Sequence, residues 1–233
     1  MSFVAIPVKG LKDAKRRLEV ILRPEERRLL CIAMLKDVLK AVRMSKYVEK
    51  VIIISCDQTI LKLARKMRAI AFDEGESRGL NSAVERIARY CTDEGAKSML
   101  ILPIDIPLVK SDDIDNIIQK GYTRSMVISP SMDEKGTNAL LMSPPTVIKP
   151  RFGLNSFKNH INEAIANRIR YKIYRSPRVA LDIDTPKDLA TFSKLGEGTE
   201  THDYMVKIDL INRTNEYLKE IHKPLLRKEE ISR

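Results

Sequence analysis

Two acidic motifs have the composition and spacing of a divalent-metal site. Asp105 follows the apolar run ILPI, so a carboxylate stands where a predicted buried strand ends; the alternative is a cap of the next turn. Asp182 and Asp184 lie two residues apart in LDIDTP, and on a strand they would share one side. Mg²⁺ is typically held by one or two carboxylates together with substrate phosphates. We therefore expect Asp105 and Asp184 to be metal ligands, with Asp182 as a supporting residue or the alternative ligand.

Basic residues near the N-terminus could neutralise a phosphorylated ligand. Lys9 follows the first predicted strand, and Lys15 and Arg17 come soon after it in KGLKDAKRRL. Phosphates need cations and backbone donors, although any one of these residues could instead be a solvated surface charge. The sequence contains neither the GxxxxGK[ST] motif of a Walker-type nucleotidase nor the GxGxxG motif of a dinucleotide enzyme.

Two glycine-containing segments in the second half could form a small-anion pocket. KGTN contains Thr137, and FGLNS contains Gly153 and Ser156, so hydroxyls stand beside glycine amides. His160 lies four residues after Ser156 on a predicted helix, which makes a Ser–His nucleophile pair an alternative. That pair lacks a third orienting acid and a nucleophile elbow, so we prefer the anion pocket.

The elements that would position these residues alternate between strand and helix. Predicted strands cover residues 3–8, 51–55, 69–72, 99–104, 126–129, 138–142, 172–174 and 179–183, and predicted helices cover 24–42, 59–67, 80–91, 111–120, 157–167 and 186–195. This alternation predicts a three-layer α/β/α fold, a mainly parallel mixed sheet with helices on both faces. Ligands bind beyond the carboxyl ends of such strands, a rule that selects Lys9, Asp57, Asp105 and Asp184.

Composition limits the class of protein. The 233 residues are 43% hydrophobic and 31% charged, which is typical of a globular protein and not of a disordered chain. No apolar run approaches the ~18 residues of a membrane span, and no secretory signal stands at residues 1–8, so we expect a cytoplasmic protein without a membrane partner. Cys31, Cys56 and Cys91 are widely spaced without a CxxC pair, which argues against a disulfide framework or a zinc site.

The net charge of +11 suits either nucleic acid or a phosphorylated small molecule. The chain has no long Lys/Arg run and no basic stretch rich in aromatic residues. Single-stranded nucleic acid is usually bound by basic grooves with stacking aromatics. We therefore expect no nucleic-acid partner, and a basic nucleic-acid-binding protein remains the non-enzymatic alternative.

The C-terminal part differs from the rest of the chain. We predict a main domain over residues 1–195, followed at 196–233 by a Gly/Glu/Thr linker and an amphipathic helical tail. A single amphipathic helix gains its stability from packing, so this one should pack against the domain or a partner subunit. Its apolar stripe consists of Ile208, Ile211, Leu218, Ile221 and Leu225.

Six motifs in a fixed order resemble one family of nucleotidyltransferases. They are IPVKGLKDAKRRL, EGESRGLN, LPIDIPLV, KGTNALL, FGLNSFKNH and LDIDTPKDL. This ordered set resembles the 2-phospho-L-lactate guanylyltransferases, enzymes of coenzyme F-420 biosynthesis. Their fold is similar to that of nucleotide-diphospho-sugar transferases, a Rossmann-like fold. The resemblance runs from about residue 3 to 195, and the tail lies outside it.

The resemblance implies that GTP and 2-phospho-L-lactate are joined to give lactyl-2-diphospho-5′-guanosine and pyrophosphate. It implies a homodimer whose partners are GTP and a small phosphorylated acid, with Mg²⁺ as cofactor. The catalytic residues would be Asp105, Asp184 and Lys9, with the two aspartates as metal ligands. The resemblance assigns Lys9, Lys15, Arg17, Gly79 and Asn81 to the nucleotide, and Thr137, Gly153 and Ser156 to the acceptor. Asp57, which the strand-end rule selects, is added to the predicted nucleotide site.

Several alternatives stay open. Related enzymes use phosphoenolpyruvate or 3-phosphoglycerate as acceptor. Ser77 and Arg78 stand in a loop whose residues vary in the family, which leaves the base open. A nucleotidyltransferase of the molybdopterin or sugar-phosphate type is a further alternative.

Overall fold

One buried seven-stranded sheet positions the candidate site residues. The computed structural model describes residues 1–11, 14–76 and 78–230, with side chains up to residue 221. Within these ranges the strands are β1 Ser2–Pro7, β2 Val48–Ser55, β3 Ile70–Asp73, β4 Ser98–Ile101, β5 Ser125–Pro130, β6 Thr137–Ser143 and β7 Arg170–Ile173. Their order across the sheet is β3-β2-β1-β4-β6-β5-β7. Only β6 runs antiparallel to its neighbours β4 and β5, so the predicted mainly parallel mixed sheet is confirmed.

Helices cover both faces of the sheet, as the α/β alternation predicts. They are α1 Pro24–Met44, α2 Gln58–Lys66, α3 Leu80–Asp93, α4 Ser111–Lys120, α5 Ser156–Ala166, α6 Pro177–Ala180, α7 Pro186–Ser193, α8 Glu200–Lys207 and α9 Leu210–Glu230. Successive side chains of β1 point to opposite faces. Val4 joins the core on one face with Leu30 of α1, and Phe3 joins the core on the other face with Val84 of α3. None of the described helices is long and apolar enough to cross a membrane.

The predicted strand over 179–183 is wrong. Pro177 begins the short helix α6, and residues 181–184 have no strand structure. Asn138 of β6 donates from Nδ2 to the carbonyl oxygens of Val179 at 3.0 Å and Ala180 at 3.1 Å. These two carbonyl groups therefore accept hydrogen bonds from a side chain, whereas in a strand they would accept from the backbone of a neighbouring strand. The strand predicted to reach residue 104 also ends early, at Ile101, before Pro103, which has no N–H for a ladder.

The C-terminal helices pack against the body of the protein. Met205 of α8 and Leu210 of α9 are fully buried in the core on the α1 face. The backbone amides of Glu200 and Thr201 donate to the carboxylate of Asp37 on α1 at 2.8 and 2.9 Å. The predicted packing against the domain is thus observed.

Only part of the predicted apolar stripe is buried. Ile208 and Ile211 pack against the core, whereas 44% of Ile221 is exposed. The side chain of Leu225 lies outside the described residues. The stripe therefore holds the tail to the body mainly through its first half.

Candidate active site

The candidate residues meet at one edge of the sheet because of its topology. β1, β2, β3 and β4 are parallel, so their carboxyl ends lie together. β6 is antiparallel, so it begins at this same edge, with Thr137. Residues far apart in the sequence are thereby collected on one side of the molecule.

Lys15 joins the two carboxylates that the sequence assigns to a metal. Its Nζ lies 2.8 Å from Asp105 Oδ2 and 2.6 Å from Asp184 Oδ1. Only 8% of the Lys15 side chain is exposed, against 43% for Asp184. Burial alone would lower the pKa of Lys15, but the negative charges of Asp105 and Asp184 outweigh it and raise that pKa above its ordinary value. The ammonium therefore stays charged.

Two backbone contacts place Asp184 beside Asp105 although residues 181–184 form no strand. The amide of Ile183 donates to the carbonyl oxygen of Asp105 at 2.9 Å. The amide of Asp184 donates to Asp188 Oδ2 at 3.0 Å, and Thr185 and Asp188 form the capping box of α7. The helix start thus fixes the position of Asp184.

Asp182 faces different partners from Asp184. Asn138 Nδ2 donates to Asp182 Oδ1 at 3.1 Å. Burial raises the pKa of Asp182 to about 6, and the negative charges of Asp105 and Asp184 act in the same direction, although the bond from Asn138 opposes them. Asp184, not Asp182, therefore shares the Lys15 cation with Asp105.

Two cavities meet at Asp184. One has a volume of about 430 Å³ and is lined by the loop after β1, including Lys9 and Lys15, and by Asp105 and Asp184. The other has a volume of about 750 Å³, and its lining includes Arg17, Lys135, Gly136, Gly153, Asn155, Asp182 and Asp184. Arg17 therefore lies on the second cavity, away from the other residues assigned to the nucleotide.

Thr137 is held by a buried histidine. The Arg151 amide donates to His160 Nε2 at 2.8 Å, so this nitrogen is an acceptor and the proton of the neutral ring is on Nδ1. Nδ1 then donates to Thr137 Oγ1 at 3.1 Å, which leaves the hydroxyl proton of Thr137 free for a ligand. Burial lowers the pKa of His160 to about 4, so the ring stays neutral near pH 7. Both ring nitrogens are engaged, which excludes the Ser156–His160 nucleophile pair.

The acceptor positions lie at the start of α5. Gly153 has a φ of +126°, a backbone conformation that L side chains rarely adopt, and it lines the larger cavity together with Asn155. Ser156 is the first residue of α5 and only 3% of it is exposed, as is 9% of Thr137. Both hydroxyl residues are therefore buried, each next in sequence to a residue that lines the cavity, Gly136 before Thr137 and Asn155 before Ser156.

Three of the residues assigned to the nucleotide have a structural role or position that the structure shows. Asp57 caps α2 through the Thr59 amide at 2.8 Å and accepts from the Leu11 amide at 3.3 Å, so it fixes the loop after β1. Asn81 Nδ2 donates to the Phe152 carbonyl at 3.0 Å, and Asn81 Oδ1 accepts from the Phe152 amide at 2.7 Å. Gly79, with a φ of +89°, precedes α3 and shares a small cleft with Lys9.

The sequence alone did not assign a role in the site to three residues, Glu74, Asn138 and His160. Glu74 comes two residues after the predicted strand 69–72 and directly after β3, so the strand-end rule could have found it. Asn138 and His160 act through contacts across 44 and 23 residues of sequence, which no local pattern reveals. Ser77, which bears on the choice of base, lies outside the described residues.

The donor set fits Mg²⁺. Two carboxylates converge on the single cation of Lys15, and carboxylate oxygens are the ligands that Mg²⁺ prefers in proteins. Within the described ranges, no group of three or more His, Cys, Asp or Glu side chains could hold a metal ion. A metal here would therefore depend on substrate phosphates for its remaining ligands.

Comparison with known proteins places this site in a family. A family model described as "Guanylyl transferase CofC like" matches residues 2–221. The chain belongs to this family. The resemblance based on six ordered motifs is confirmed, but the expectation that the tail lies outside it is wrong, since the CofC-like match extends past residue 195. Membership makes the chain a guanylyltransferase enzyme, which favours nucleotidyl transfer over the nucleic-acid-binding alternative.

Relatives with two different names are similar to this CofC-like chain. The 2-phospho-L-lactate guanylyltransferase of Methanobrevibacter smithii is 35% identical over 205 residues, 88% of this chain and 89% of that one. The phosphoenolpyruvate guanylyltransferase of Rubrobacter xylanophilus is 37% identical over 195 residues, 83% of this chain and 94% of that one.

Solved structures agree on the fold. A protein from Desulfovibrio desulfuricans G20, provisionally assigned as a nucleotide-diphospho-sugar transferase, has a TM-score of 0.75 at 14% identity and covers 93% of this chain and 97% of its own. A nucleotidyl transferase from Methanothermobacter thermautotrophicus has a TM-score of 0.61 at 14% identity and covers 84% and 97%. The predicted nucleotide-diphospho-sugar transferase-like fold is confirmed.

Proposed function

We propose that this enzyme transfers a guanylyl group from GTP to 2-phospho-L-lactate, giving lactyl-2-diphospho-5′-guanosine and pyrophosphate in coenzyme F-420 biosynthesis. The observation that carries this proposal is the pair of cavities that share Asp184, one on the Lys9 and Lys15 side and one on the Arg17 side. Two ligands bound in adjacent cavities can react directly with each other.

The nucleotide belongs in the cavity lined by the loop after β1. Lys9 supplies positive charge there that can attract the triphosphate, and Lys15 offsets the negative charges of Asp105 and Asp184 beside it. Asp57 supports the loop through its contact with the Leu11 amide. This arrangement suits a triphosphate whose α-phosphorus faces Asp184.

The reaction needs positioning more than acid–base chemistry. An oxygen of the acceptor phosphate attacks the α-phosphorus of GTP in line, and a new P–O bond forms. The bond from the α-phosphorus to the bridging oxygen breaks, and pyrophosphate leaves with that electron pair. A phosphate oxygen is nucleophilic without a strong base, so orientation and charge stabilisation carry the catalysis.

Mg²⁺ fits this reaction at Asp105 and Asp184, which would hold it. When bound, the ion supplies positive charge that stabilises the negative phosphate oxygens of the transferring group. Lys15 already holds both carboxylates in one orientation, with oxygens 2.8 and 2.6 Å from its Nζ. The chain's own contribution is to keep those two carboxylates close together.

The acceptor belongs in the larger cavity. Arg17 and Lys135 line it and can attract a phosphorylated acid. The Thr137 hydroxyl, oriented by His160, and Ser156 at the start of α5 are the proposed donors for the phosphate. Phosphoenolpyruvate is a second candidate acceptor, favoured by the 37% identity to a phosphoenolpyruvate guanylyltransferase.

A screen of substrates tests this proposal. Each of four nucleoside triphosphates is combined with 2-phospho-L-lactate, phosphoenolpyruvate or 3-phosphoglycerate, and pyrophosphate release is measured. We expect release with GTP and 2-phospho-L-lactate, at a kcat/KM about tenfold or more above that with the other acids. A preference for phosphoenolpyruvate would make it the acceptor, and release with none of the three acids would reject the proposal.

We also propose a homodimer that acts in the cytoplasm. The homodimer follows from the family resemblance, and sedimentation velocity of the purified chain would test it. A single species with the mass of one chain would overturn it.

A further inference from the structure

A buried carboxylate that accepts no hydrogen bond from the described residues lies beside the cavity proposed for the nucleotide. Glu74 directly follows β3, and only 9% of it is exposed. Among the described residues, no group donates a hydrogen bond to its carboxylate. Every fully buried side-chain oxygen or nitrogen in the described part has a partner, so the oxygens of Glu74 must reach open space. Burial raises the pKa of Glu74; the positive charge of Arg86 opposes this and the negative charge of Asp73 adds to it.

The open space is a small cleft. Glu74 lines it together with Lys9, Gly79 and Leu80, and its volume is about 20 Å³. Lys9 and Leu80 also line the cavity of about 430 Å³ assigned to the nucleotide, so the two spaces adjoin. A space of this size holds one water-sized group. It can therefore receive a substituent on the edge of a base while the base itself lies in the larger cavity.

The backbone of Glu74 is fixed from two sides. Its amide donates to the Ser55 carbonyl oxygen at 3.1 Å, which continues the pairing of β3 with β2. Its own carbonyl oxygen accepts from Arg86 Nη1 at 2.5 Å, on α3. The side chain thus starts from a rigid position at the ligand edge of the sheet. Such rigidity is what a specific recognition residue requires.

The chemistry of the cleft matches guanine. The base-pairing edge of guanine carries two adjacent donors, N1–H and the 2-amino group, whereas adenine has an acceptor at N1 and no 2-amino group. An ionised carboxylate has two oxygens that only accept. We infer that Glu74 is the residue that selects guanine, its carboxylate accepting hydrogen bonds from N1–H and from the 2-amino group placed in the cleft. This inference rests on the proposed binding of GTP in the adjoining cavity.

Binding of nucleotides without any acceptor tests the inference separately from the transfer reaction. Displacement of fluorescent mant-GTP by GTP, ITP and XTP in Mg²⁺ buffer gives the affinities; ITP lacks the 2-amino group and XTP has an oxygen in its place. We expect the wild type to prefer GTP over ITP by about tenfold or more, because one charged hydrogen bond is lost with ITP. Glu74→Gln should weaken GTP binding by about 100-fold, bring GTP and ITP within about threefold, and bind XTP better than the wild type does.

Two further variants control this experiment. Glu76→Gln removes the same charge from an exposed residue of the same loop and should leave all three affinities unchanged. Glu74→Asp keeps the carboxylate and should keep the preference for GTP over ITP, which guards against a variant that fails to fold. A Glu74→Gln protein with the wild-type ratio of GTP to ITP affinity would overturn the inference, while pyrophosphate release from GTP would leave the proposed function intact. A preference for GTP that depends on Glu74, without product from any acid, would reject the proposed function and keep the inference.

Discussion

At the scale of single residues, the ion pairs of Lys15 with Asp105 and Asp184 are the central feature of the site. Substitution Asp105→Asn keeps the shape of the side chain but removes one of the two charges that face the nearly buried Lys15. We expect kcat to fall by about 100-fold or more, since charge placed at the reacting phosphates is typically worth this much. The melting temperature should fall by only about 2–4 °C, because Asp184 still holds Lys15.

The measurement is pyrophosphate release at saturating GTP, with circular dichroism to verify the fold. Lys36→Met, at an exposed ion pair with Glu200 outside the lining of both cavities, is a suitable control and should keep wild-type turnover. Turnover of Asp105→Asn near the wild-type rate would remove Asp105 from the catalytic machinery.

Asp182 makes stability depend on pH. Its pKa is about 6 in the folded protein and near the ordinary value of 3.8 when unfolded, so the folded protein binds more protons between these values. Stability contributed by the protonated carboxyl is therefore present below about pH 4 and is lost as the pH rises through about 6. Asp182→Asn removes that loss while its amide oxygen can still accept from Asn138.

We expect Asp182→Asn to melt about 2–4 °C above the wild type at pH 7.5, and the difference to shrink as the pH falls towards 4.5. Differential scanning calorimetry of both proteins at several pH values would show this. A difference in melting temperature that is independent of pH would mean that Asp182 is an ordinary ionised aspartate.

Local patterns predict part of the site. The strand-end rule finds Lys9 and Asp105, because a polar residue after a buried apolar run is visible in the sequence. It does not find the contact of Lys15 with Asp105 and Asp184 across 90 and 169 residues, which depends on a left-handed backbone at Lys15 with a φ of 52°. Thr137 lies at the beginning of its strand, where a rule for parallel strands gives no guidance.

At the scale of elements, the alternation of strand and helix was predictable because buried strands read as continuous apolar runs. The segment 179–183 is the exception: its alternating apolar residues are buried in the core on the α1 face, but its first two residues end α6 and their carbonyl groups accept from Asn138 instead of pairing in a ladder. Asp113 of α4 also holds this segment, accepting from Arg178 Nε at 2.6 Å and from the Ser176 hydroxyl at 2.8 Å. Side-chain contacts of this kind determine the conformation of a segment whose strand propensity alone does not determine it.

At the scale of elements, the C-terminal helices α8 and α9 should stabilise the whole protein. A chain that ends at Leu195 would lose the buried Met205 and Leu210 and the hydrogen bonds that the amides of Glu200 and Thr201 donate to Asp37. Loss of a buried methionine costs about 2–5 kcal/mol, and the apolar surface that α8 and α9 cover would be exposed to water. We expect this truncated chain to melt at least about 10 °C below the full chain or to aggregate.

A chain that ends at Ile221 is the matched control, because it keeps α8 and the part of α9 that the family model covers. Thermal scans and sedimentation of the two truncated chains would be compared with the full chain. A chain ending at Leu195 with the full melting temperature and normal turnover would show that residues 196–233 are a dispensable appendage.

At the scale of the whole molecule, the sheet brings two cavities onto one edge. The cavity proposed for the nucleotide lies at the ends of β1 and β4, with Cys31 of α1 and Leu80 of α3 in its lining, and the cavity proposed for the acceptor lies between the loop that joins β5 to β6 and the loop before α5. Asn81 at the start of α3 is bonded to the Phe152 backbone in the loop before α5, which ties the two sides together directly. The net charge of +11 suits two phosphorylated substrates that must approach the same edge.

The most direct test follows the oxygen atoms of the acceptor. 2-Phospho-L-lactate labelled with ¹⁸O at the three terminal oxygens of its phosphate is incubated with GTP, Mg²⁺ and the enzyme, and the products are analysed by mass spectrometry. We expect a joined guanosine–lactate diphosphate that keeps all the label, and unlabelled pyrophosphate, because an acceptor oxygen attacks the α-phosphorus. Label in pyrophosphate, or no joined product with this acid or with phosphoenolpyruvate, would contradict the proposed reaction.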